Sequence, residues 1–343
     1  MHSAKNQALD ISPKYSNRFR RRRRLTRLGR GVAAVAIGVL LFYVVVGYLG
    51  SATMFGDHSR WRGMNRGPAE LGLRSETVSF DSMDGIPLKA WWLPTSGVPR
   101  GAVIVAHGIE DTRQVMLPRA AFLVHGGYDV LTPDLRCHGE SGGRVASPGL
   151  LEARDILGAL RYIRSRANGE PVAVLGLSYG GVASLIASAE SSEIVAVISD
   201  GAFLTGKDVS EDVSRHFLHD PKTNFLARVP FLMAFVPGMT RATALVYCFR
   251  SGVSLGPDLL SVIPSASRIR VPVLLISGEK DWIVPTDRAR QILSVIPDDR
   301  KELVVIPNAA HDTTYSEAPT LYANAVLNFL AKSIIKRNGP RPD

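Results

Sequence analysis

Short runs of apolar residues alternate with longer stretches of helical periodicity over most of the chain. The apolar runs are unbroken and rich in β-branched residues, which is typical of strands buried on both faces of a mostly parallel sheet. They lie at residues 75–80, 86–93, 102–107, 129–133, 172–177, 194–199, 272–277 and 302–306. Helical patterns lie near residues 112–125, 147–168, 179–190, 285–296 and 315–335. The alternation predicts a doubly wound α/β domain with an eight-stranded sheet, whose first two strands form an antiparallel hairpin at one edge.

One long stretch interrupts this alternation. Residues 201–268 separate two predicted strands by far more than the usual connection of about 2–6 residues. The stretch contains apolar pieces interrupted by Pro230 and Pro237. We predict an inserted helical lid over a site. The alternative is a set of helices packed on the surface without a role in the site.

An apolar segment without charged residues runs from Gly31 to Gly56. About 20 apolar residues suffice for a helix to cross the ~30 Å hydrocarbon layer of a membrane. The arginine-rich sequence RFRRRRRLTRLGR precedes the segment, and the positive-inside rule therefore places the N-terminus in the cytoplasm and the rest of the chain outside. We predict a single-span anchor. A cleaved signal peptide and a twin-arginine export signal are the alternatives.

This interpretation divides the chain into four parts. They are a basic cytoplasmic segment at 1–30, the transmembrane helix at 31–56, a linker at 57–72 and one α/β domain at 73–338.

The formal net charge of +10 is concentrated at the N-terminus. Residues 1–30 carry ten basic side chains and a single acid, Asp10, so this segment alone holds +9. The remainder of the chain is nearly neutral. A nucleic-acid-binding protein spreads basic groups over its working face, and no nucleic-acid partner is therefore predicted.

The sequence contains two cysteines, Cys137 and Cys248, which lie far apart. Two cysteines are too few for a disulfide framework, and neither has the spacing of a metal ligand. We expect two separate, small, buried apolar side chains. A single disulfide stays open if the domain lies outside the cytoplasm.

The strongest local signal for chemistry is a G-x-S-x-G motif around Ser178. The sequence GLSYGG at 176–181 directly follows a predicted strand and directly precedes a helical pattern. In this setting the serine sits on a tight turn that lifts its hydroxyl above the sheet, and the glycines make room for the strained backbone. The following helix also directs its positive end at a developing oxyanion. Ser178 is therefore the predicted nucleophile.

A serine hydroxyl is a weak nucleophile and needs a base that is held by an acid. On this kind of sheet the three residues follow in the order Ser, Asp or Glu, and His. His311 lies between the last predicted strand and the last helix, and Asp281 follows the strand at 272–277. Both loops leave the carboxyl ends of strands, the edge where open α/β sheets bind ligands. His311 is the predicted base and Asp281 the predicted acid.

Other candidates fit this order less well. Asp200 is the rival acid, because it directly follows the strand at 194–199 and a neighbouring strand end can also reach the histidine. Glu279 and Asp312 are interpreted as solvated loop charges. The remaining histidines considered are His58 beside the apolar segment, His125 at a helix end, and His216 and His219 in the insertion.

Acyl transfer also requires hydrogen-bond donors for the developing oxyanion. The first predicted donor is the backbone N–H of Tyr179, which follows the nucleophile. The second is the backbone N–H of Ile109, in the loop AHGIED after the third predicted strand. His107 is interpreted as a structural histidine beneath that turn.

Taken together, these motifs resemble the alpha/beta-hydrolase superfamily over residues 72–335. The matching features are His107-Gly108, DLRCHGES at 134–141, the turn around Ser178, GEKDWIVP at 278–285 and the late His311. The resemblance implies the alpha/beta-hydrolase fold and a triad of Ser178, Asp281 and His311. We expect the DLRCHGES run, which is typical of that fold, to shape a loop beside the site. Members of the superfamily include esterases, lipases, peptidases, thioesterases, acyltransferases and lyases.

The function predicted from these features is a membrane-anchored serine hydrolase that cleaves a carboxylic ester through an acyl-enzyme on Ser178. The anchor at 31–56 and the apolar insertion favour a small-molecule or lipid-like acyl substrate. This mechanism requires no metal and no organic cofactor. A peptidase or acyltransferase of the same fold is one alternative, and a catalytically inert, membrane-tethered binding domain is another. The oligomeric state does not follow from the sequence.

Overall fold

The computed structural model describes residues 13–55, 67–166, 169–219, 230–254, 256, 260–297 and 299–335. Most of the predicted linker, with His58, lies outside the described residues, as does the side chain of His219.

Eight strands form one sheet in the order β1-β2-β4-β3-β5-β6-β7-β8. The strands are β1 (Glu76–Asp81), β2 (Pro87–Leu93), β3 (Ala102–Ala106), β4 (Asp129–Pro133), β5 (Val172–Leu177), β6 (Ile194–Asp200), β7 (Val273–Gly278) and β8 (Lys301–Ile306). The β1–β2 and β2–β4 pairs are antiparallel and the others are parallel. The predicted strands and the edge hairpin are therefore confirmed.

Ten α-helices occur in the described part of the chain, and some of them cover the two faces of the sheet. They are α1 (Pro13–Phe55), α2 (Leu117–His125), α3 (Glu152–Arg166), α4 (Tyr179–Glu190), α5 (Gly206–His219), α6 (Pro230–Ser251), α7 (Ile263–Ala266), α8 (Thr286–Val295), α9 (Thr314–Glu317) and α10 (Pro319–Ile335). The helices α3, α4 and α8 pack on one face, and α2 and α10 pack on the other.

Each central strand contributes side chains to two separate hydrophobic layers. In β3, Ala102, Ile104 and Ala106 belong to the layer under α3 and α4, whereas Val103 and Val105 belong to the layer under α2 and α10. All five side chains are fully buried. Because both faces of the strand are covered, its sequence is an unbroken apolar run and does not alternate with polar residues.

The neighbouring strands β3 and β5 define the place where a site can form. The chain moves to one side of β3 to make β4, and then to the other side to make β5. Loops that leave the two strands therefore diverge and open a crevice at their carboxyl ends, where doubly wound sheets bind ligands. Ser178 directly follows β5, and Ile109 lies in the loop after β3.

The described part of the insertion is helical, as predicted, and consists of α5, α6 and α7. Thr205 and Ser261 pair as an isolated β-bridge, so the insertion leaves and rejoins the domain at one place. Helix α6 begins at Pro230, where the missing N–H of proline removes no helical hydrogen bond, and it continues through Pro237.

Helix α1 contains a stretch, Arg23–Ala52, that is long and apolar enough to cross a membrane, and no other described helix meets this test. Little of the stretch is buried, unlike the core helix of a soluble protein. An apolar helix of this kind near an N-terminus serves as a membrane anchor or as a signal sequence. The helix begins at Pro13, so the basic segment and the apolar span form one continuous helix.

Candidate active site

Ser178 lies in a strained turn between β5 and α4. Its backbone has φ 51° and ψ −112°, and such a conformation costs a non-glycine residue about 1–3 kcal/mol. The N–H of Ser178 donates to the carbonyl oxygen of Asp200 at 2.6 Å. The turn also packs tightly, because a Cβ on Gly180 would lie 2.5 Å from the carbonyl oxygen of His107. A Cβ on Gly176 would overlap the backbone of Gly180. Only glycine fits at these two positions.

Ser178, His311 and Asp281 form a continuous chain of hydrogen bonds. Nε2 of His311 lies 2.8 Å from Oγ of Ser178, and Nδ1 lies 2.7 Å from Oδ2 of Asp281. The other carboxylate oxygen of Asp281 accepts the backbone N–H groups of Ile283 and Val284 at 3.0 and 2.7 Å. Because these bonds hold the buried carboxylate, the imidazole has a fixed orientation. The structure thus brings together the side chains predicted as nucleophile, base and acid.

Residues that follow β7 form hydrogen bonds to the loop that carries His311. The backbone N–H of Lys280 donates to the carbonyl oxygen of Ala309 at 2.8 Å. The carboxylate of Glu279 accepts the N–H of Asn308 at 2.9 Å. Glu279 is an exposed loop charge, as predicted, and its carboxylate also ties the two loops together.

Several charges act on the imidazole of His311. Burial lowers its pKa, but the hydrogen bond and negative charge of Asp281 oppose burial, with further contributions from the charges of Asp200 and Asp312. The net result is a pKa above the ordinary value of 6.5. Asp312 is itself exposed, as predicted.

Asp200, the rival acid, directs its carboxylate to a different set of partners. Oδ2 of this fully buried side chain accepts hydrogen bonds from Thr314 at 2.7 Å, Tyr322 at 3.0 Å and Arg119 at 3.1 Å. These contacts join the end of β6 to α2, α9 and α10. Asp281 is therefore the acid that holds the imidazole, and Asp200 supports the turn of the nucleophile.

The first turn after β3 is organised by His107. Nε2 of His107 accepts the N–H of Leu135 at 2.9 Å, so the neutral ring carries its proton on Nδ1 and donates it to the carbonyl oxygen of Gly108 at 2.6 Å. The C=O and N–H of a planar peptide point in opposite directions, so the N–H of Ile109 points away from this ring. A Cβ on Gly108 would lie 3.8 Å from Cβ of Ser178, which places the peptide beside the serine. This geometry fits the structural role predicted for His107.

The run at 134–141 forms hydrogen bonds to the loop after β3. Nε2 of His138 accepts the N–H of Glu110 at 3.3 Å. The buried carboxylate of Asp134 accepts the backbone N–H of Arg113 at 2.8 Å and pairs with its guanidinium at 2.9 Å. The expectation that this run shapes a loop beside the site is confirmed.

Sequence reasoning missed one titratable group near the serine. Asp111 lies in the loop after β3, and its Oδ2 would lie 3.2 Å from a Cβ on Gly108. Burial and the negative charge of Asp312 raise the pKa of Asp111 to about 6. Half-buried carboxyl groups that titrate near neutral pH are enriched at functional sites. The signal that could have revealed Asp111 in the sequence is the acidic pair Glu110 and Asp111 in AHGIED.

Helix α5 of the insertion is fixed beside the loop that carries Asp281. The ring of His216 stacks on Trp282 with centroids 4.1 Å apart. Arg288 of α8 binds the carboxylate of Asp212 through two hydrogen bonds of 2.9 and 3.1 Å. His216 therefore packs next to the site, whereas His125 is exposed at the end of α2.

Cys137 and Cys248 are separate free thiols, as expected; Cys137 is buried, whereas the expected burial of Cys248 was wrong, because this side chain is only partly covered. Among the described residues, no group of three or more His, Cys, Asp or Glu side chains is arranged to hold a metal ion.

The sequence profile of the alpha/beta hydrolase family matches residues 103–325. This match covers well over half of the chain, and the sheet described above agrees with it. The chain therefore belongs to the alpha/beta hydrolase family.

Individual proteins extend this similarity. The uncharacterized protein YfhR of Escherichia coli is 24% identical over 273 residues, which are 77% of this chain and 83% of YfhR. The esterase Pf2001 of Pyrococcus furiosus has a TM-score of 0.64 at 22% identity, over 79% of this chain and 96% of the esterase. The proline iminopeptidase of Mycobacterium smegmatis has a TM-score of 0.58 at 18% identity, over 77% of this chain and 100% of the peptidase. These structures share the fold of the chain, and membership of the family supports a hydrolase in the broad sense.

Replacing Asp200 by alanine is expected to lower the free energy of unfolding by about 3–5 kcal/mol, because the buried Arg119 would lose its carboxylate partner. The matched control is Asp312→Ala, which removes an exposed aspartate from a nearby loop and should change stability by less than about 0.5 kcal/mol. Denaturant unfolding of the two variants, followed by circular dichroism, measures the difference. Equal stabilities would contradict the structural role of Asp200.

Proposed function

We propose that this protein is a serine hydrolase that cleaves a carboxylic ester through an acyl-enzyme on Ser178. The observation that carries the proposal is the hydrogen-bonded chain of Asp281, His311 and Ser178, whose Oγ lies 2.8 Å from the imidazole. A serine nucleophile requires a base within hydrogen-bond reach and an acid that orients the base, and both requirements are met. Membership of the alpha/beta hydrolase family supports the same conclusion.

In the proposed mechanism, Oγ of Ser178 attacks the acyl carbonyl carbon while Nε2 of His311 takes the hydroxyl proton. Asp281 holds the Nδ1–H and stabilises the imidazolium without taking the proton. The backbone N–H groups of Tyr179 and Ile109 donate to the oxyanion of the tetrahedral intermediate. His311 then protonates the leaving alcohol. A water molecule repeats these steps on the acyl-enzyme and releases the acid.

The apolar span of α1 supports a membrane location for this reaction. We propose that α1 anchors the protein, with the arginine-rich segment on the cytoplasmic side and the hydrolase domain on the other. The insertion acts as a lid beside the site, and its apolar helix α6 favours an apolar acyl group.

A second candidate reaction is the hydrolysis of a peptide that carries a free amino group. Asp111 supports it, because this carboxyl ionises above a pH of about 6 and could then pair with an amine beside Ser178. Turnover of aminoacyl p-nitroanilides that exceeds turnover of every p-nitrophenyl ester would favour this reaction over ester hydrolysis.

Replacing Ser178 by alanine is expected to lower kcat for p-nitrophenyl esters by roughly 10⁵–10⁶-fold, because the nucleophile is lost. Ser188→Ala is the matched control, because Ser188 lies in α4, the helix that follows Ser178. Among the described residues its hydroxyl donates to the carbonyl oxygen of Ser184, and activity should stay unchanged. Hydrolysis of esters from acetate to palmitate, with fluorophosphonate labelling, measures both variants. A wild-type chain that neither hydrolyses nor labels would support an inert binding domain instead.

The pH profile of kcat/KM should show an acid limb above pH 6.5, because only the neutral form of His311 acts as the base and its pKa is raised. Asp281→Asn removes the groups that raise this pKa most, so the acid limb should move to lower pH. The plateau rate should also fall by roughly 10⁴-fold, because the amide favours the wrong tautomer. An acid limb that stays in place in this variant would argue against the pairing.

Two glycines test whether the position of His311 matters. Gly201 and Gly85 both have left-handed backbones, with φ 68° and 79°. A Cβ on Gly201 would lie 3.2 Å from Cε1 of His311, whereas a Cβ on Gly85 would meet no described atom within 4 Å. Alanine imposes similar backbone strain at both sites, but only Gly201→Ala should displace the imidazole and lower kcat by about 10–100-fold. Steady-state kinetics corrected for the folded fraction compares the two, and equal losses would contradict this role.

A further inference from the structure

One face of the apolar span of α1 is covered. Tyr43, Val46, Gly47, Gly50 and Ser51 are partly or fully buried, while most apolar side chains of the span are more than half exposed. Positions spaced by three, four, seven and eight residues lie on one face of a helix. The element that covers this face is α6 of the insertion.

The two helices meet through small residues, which allow close approach. A Cβ on Gly47 would lie 2.7 Å from the carbonyl oxygen of Ala242, and a Cβ on Gly50 would lie 2.6 Å from Oγ1 of Thr243. By contrast, a Cβ on Gly38 of the same helix would meet no described atom within 4 Å. Small residues at a helix–helix contact are typical of packing within membranes.

Polar contacts join the C-terminal ends of the two helices. The guanidinium of Arg250 donates to Oγ of Ser51 at 2.9 Å and lies over the ring of Tyr48, 4.5 Å from its centroid. Gly238 contacts Tyr43 at the other end of the contact, so the two helices run parallel. Helix α6 begins eight residues before Gly238, and at 1.5 Å per residue it runs roughly 12 Å further along the apolar span.

Helix α6 has one more face, which no element of the domain covers among the described residues. Its buried face contains Tyr247, whose hydroxyl donates to the carbonyl oxygen of Ala146 at 2.8 Å. Leu245 and Phe249, one turn apart, are 72% and 91% exposed. The stretch 230–240 of the same helix carries no charged residue, and the exposed Arg241, one turn before Leu245, places one charge at the edge of this apolar stretch. An apolar surface that is continuous with a membrane-spanning helix is suited to lipid.

The same helix reaches the candidate active site through α5. Oγ of Ser210 on α5 lies 2.6 Å from Oγ1 of Thr240 on α6. Further along α5, His216 stacks on Trp282, the residue after Asp281. A continuous set of contacts therefore connects the span of α1 to the edge of the site.

We infer that α6 lies in the bilayer beside α1, with Leu245 and Phe249 facing lipid, and that the substrate is an acyl lipid that enters the site from the bilayer. This inference rests on the proposed ester hydrolase and on α1 as its anchor. The lid is then part of the membrane contact, and the mouth of the site opens at the membrane surface.

The helix contact is tested first by a disulfide in the full-length chain in its membranes, with Cys248 replaced by serine. A Cβ on Gly50 would lie 3.4 Å from Cβ of Thr243, near the mean Cβ–Cβ distance of about 3.8 Å in disulfides. Gly50→Cys with Thr243→Cys should therefore cross-link on oxidation, as detected by mass spectrometry without reduction. The control pair, Gly38→Cys with Thr243→Cys, should not. Equal cross-linking of the two pairs, or none in either, would overturn the packing.

The lipid contact is tested with a fluorescent bimane label at Phe249→Cys in the same Cys248→Ser background, reconstituted in phosphatidylcholine vesicles. Spin-labelled lipid should quench this probe and leave a probe at Val98→Cys, an equally exposed site on the hydrolase domain, unquenched. Equal quenching of the two probes would overturn the inference. Cross-linking of Phe249→Cys between two chains without quenching would identify a second copy as the occupant and would also overturn it.

The substrate class is tested by comparing two esters in proteoliposomes: p-nitrophenyl acetate in water and p-nitrophenyl palmitate in the bilayer. Gly47→Leu should separate α6 from α1 and reduce palmitate hydrolysis by about tenfold or more while acetate hydrolysis stays unchanged. Gly38→Leu, which faces away from α6, should change neither rate. An unchanged ratio of the two rates in Gly47→Leu would overturn entry from the bilayer. Inactivity of the wild type on both esters would instead remove the proposed hydrolase, while the disulfide and quenching results would still decide the placement of α6.

Discussion

The hydrogen bond from the N–H of Ser178 to the carbonyl oxygen of Asp200 is the contact on which the site depends. It extends the parallel pairing of β5 and β6 by one step and holds the serine at φ 51°. The strain of about 1–3 kcal/mol is tolerated because all six residues of β5 are buried, and their burial fixes the strand in place. The position of the half-buried Ser178 is therefore maintained by the packing of the sheet.

Asp200 connects stability and chemistry through two different groups. Its carbonyl oxygen holds the turn of the nucleophile, while its carboxylate pairs with the buried Arg119 behind the sheet. The same negative charge helps to keep the pKa of His311 raised. Because one residue serves both purposes, the ion pair behind the sheet and the basicity of the imidazole are coupled. Asp281 has the narrower task of orienting the ring.

If α1 is the membrane anchor proposed above, its contact with α6 gives the molecule a direction with respect to the membrane. A hydrolase domain on a flexible tether could present any face to the bilayer, whereas the contact with α6 fixes the insertion beside the apolar span. The stack of His216 on Trp282 carries this arrangement to the loop of Asp281. Helix α5 packs against the loop of Asp281 and also against α6, the helix proposed to meet lipid. These elements thus belong to one packed unit.

The sequence by itself determined the strands, the helices and the order of Ser178, Asp281 and His311, because hydrophobic period and turn chemistry are local properties. It favoured Asp281 over Asp200 by loop position and order, but both residues follow buried strands, and only the packed loops show which carboxylate meets the imidazole. The raised pKa of Asp111 depends on burial and on the charge of Asp312, about two hundred residues away in the chain. The pairing of α6 with α1 could not be predicted from the sequence either. An apolar face indicates that a helix will be covered, but it does not indicate which element covers it. Those decisions came from the tertiary structure, which alone brings distant charges and distant faces within a few ångströms of each other.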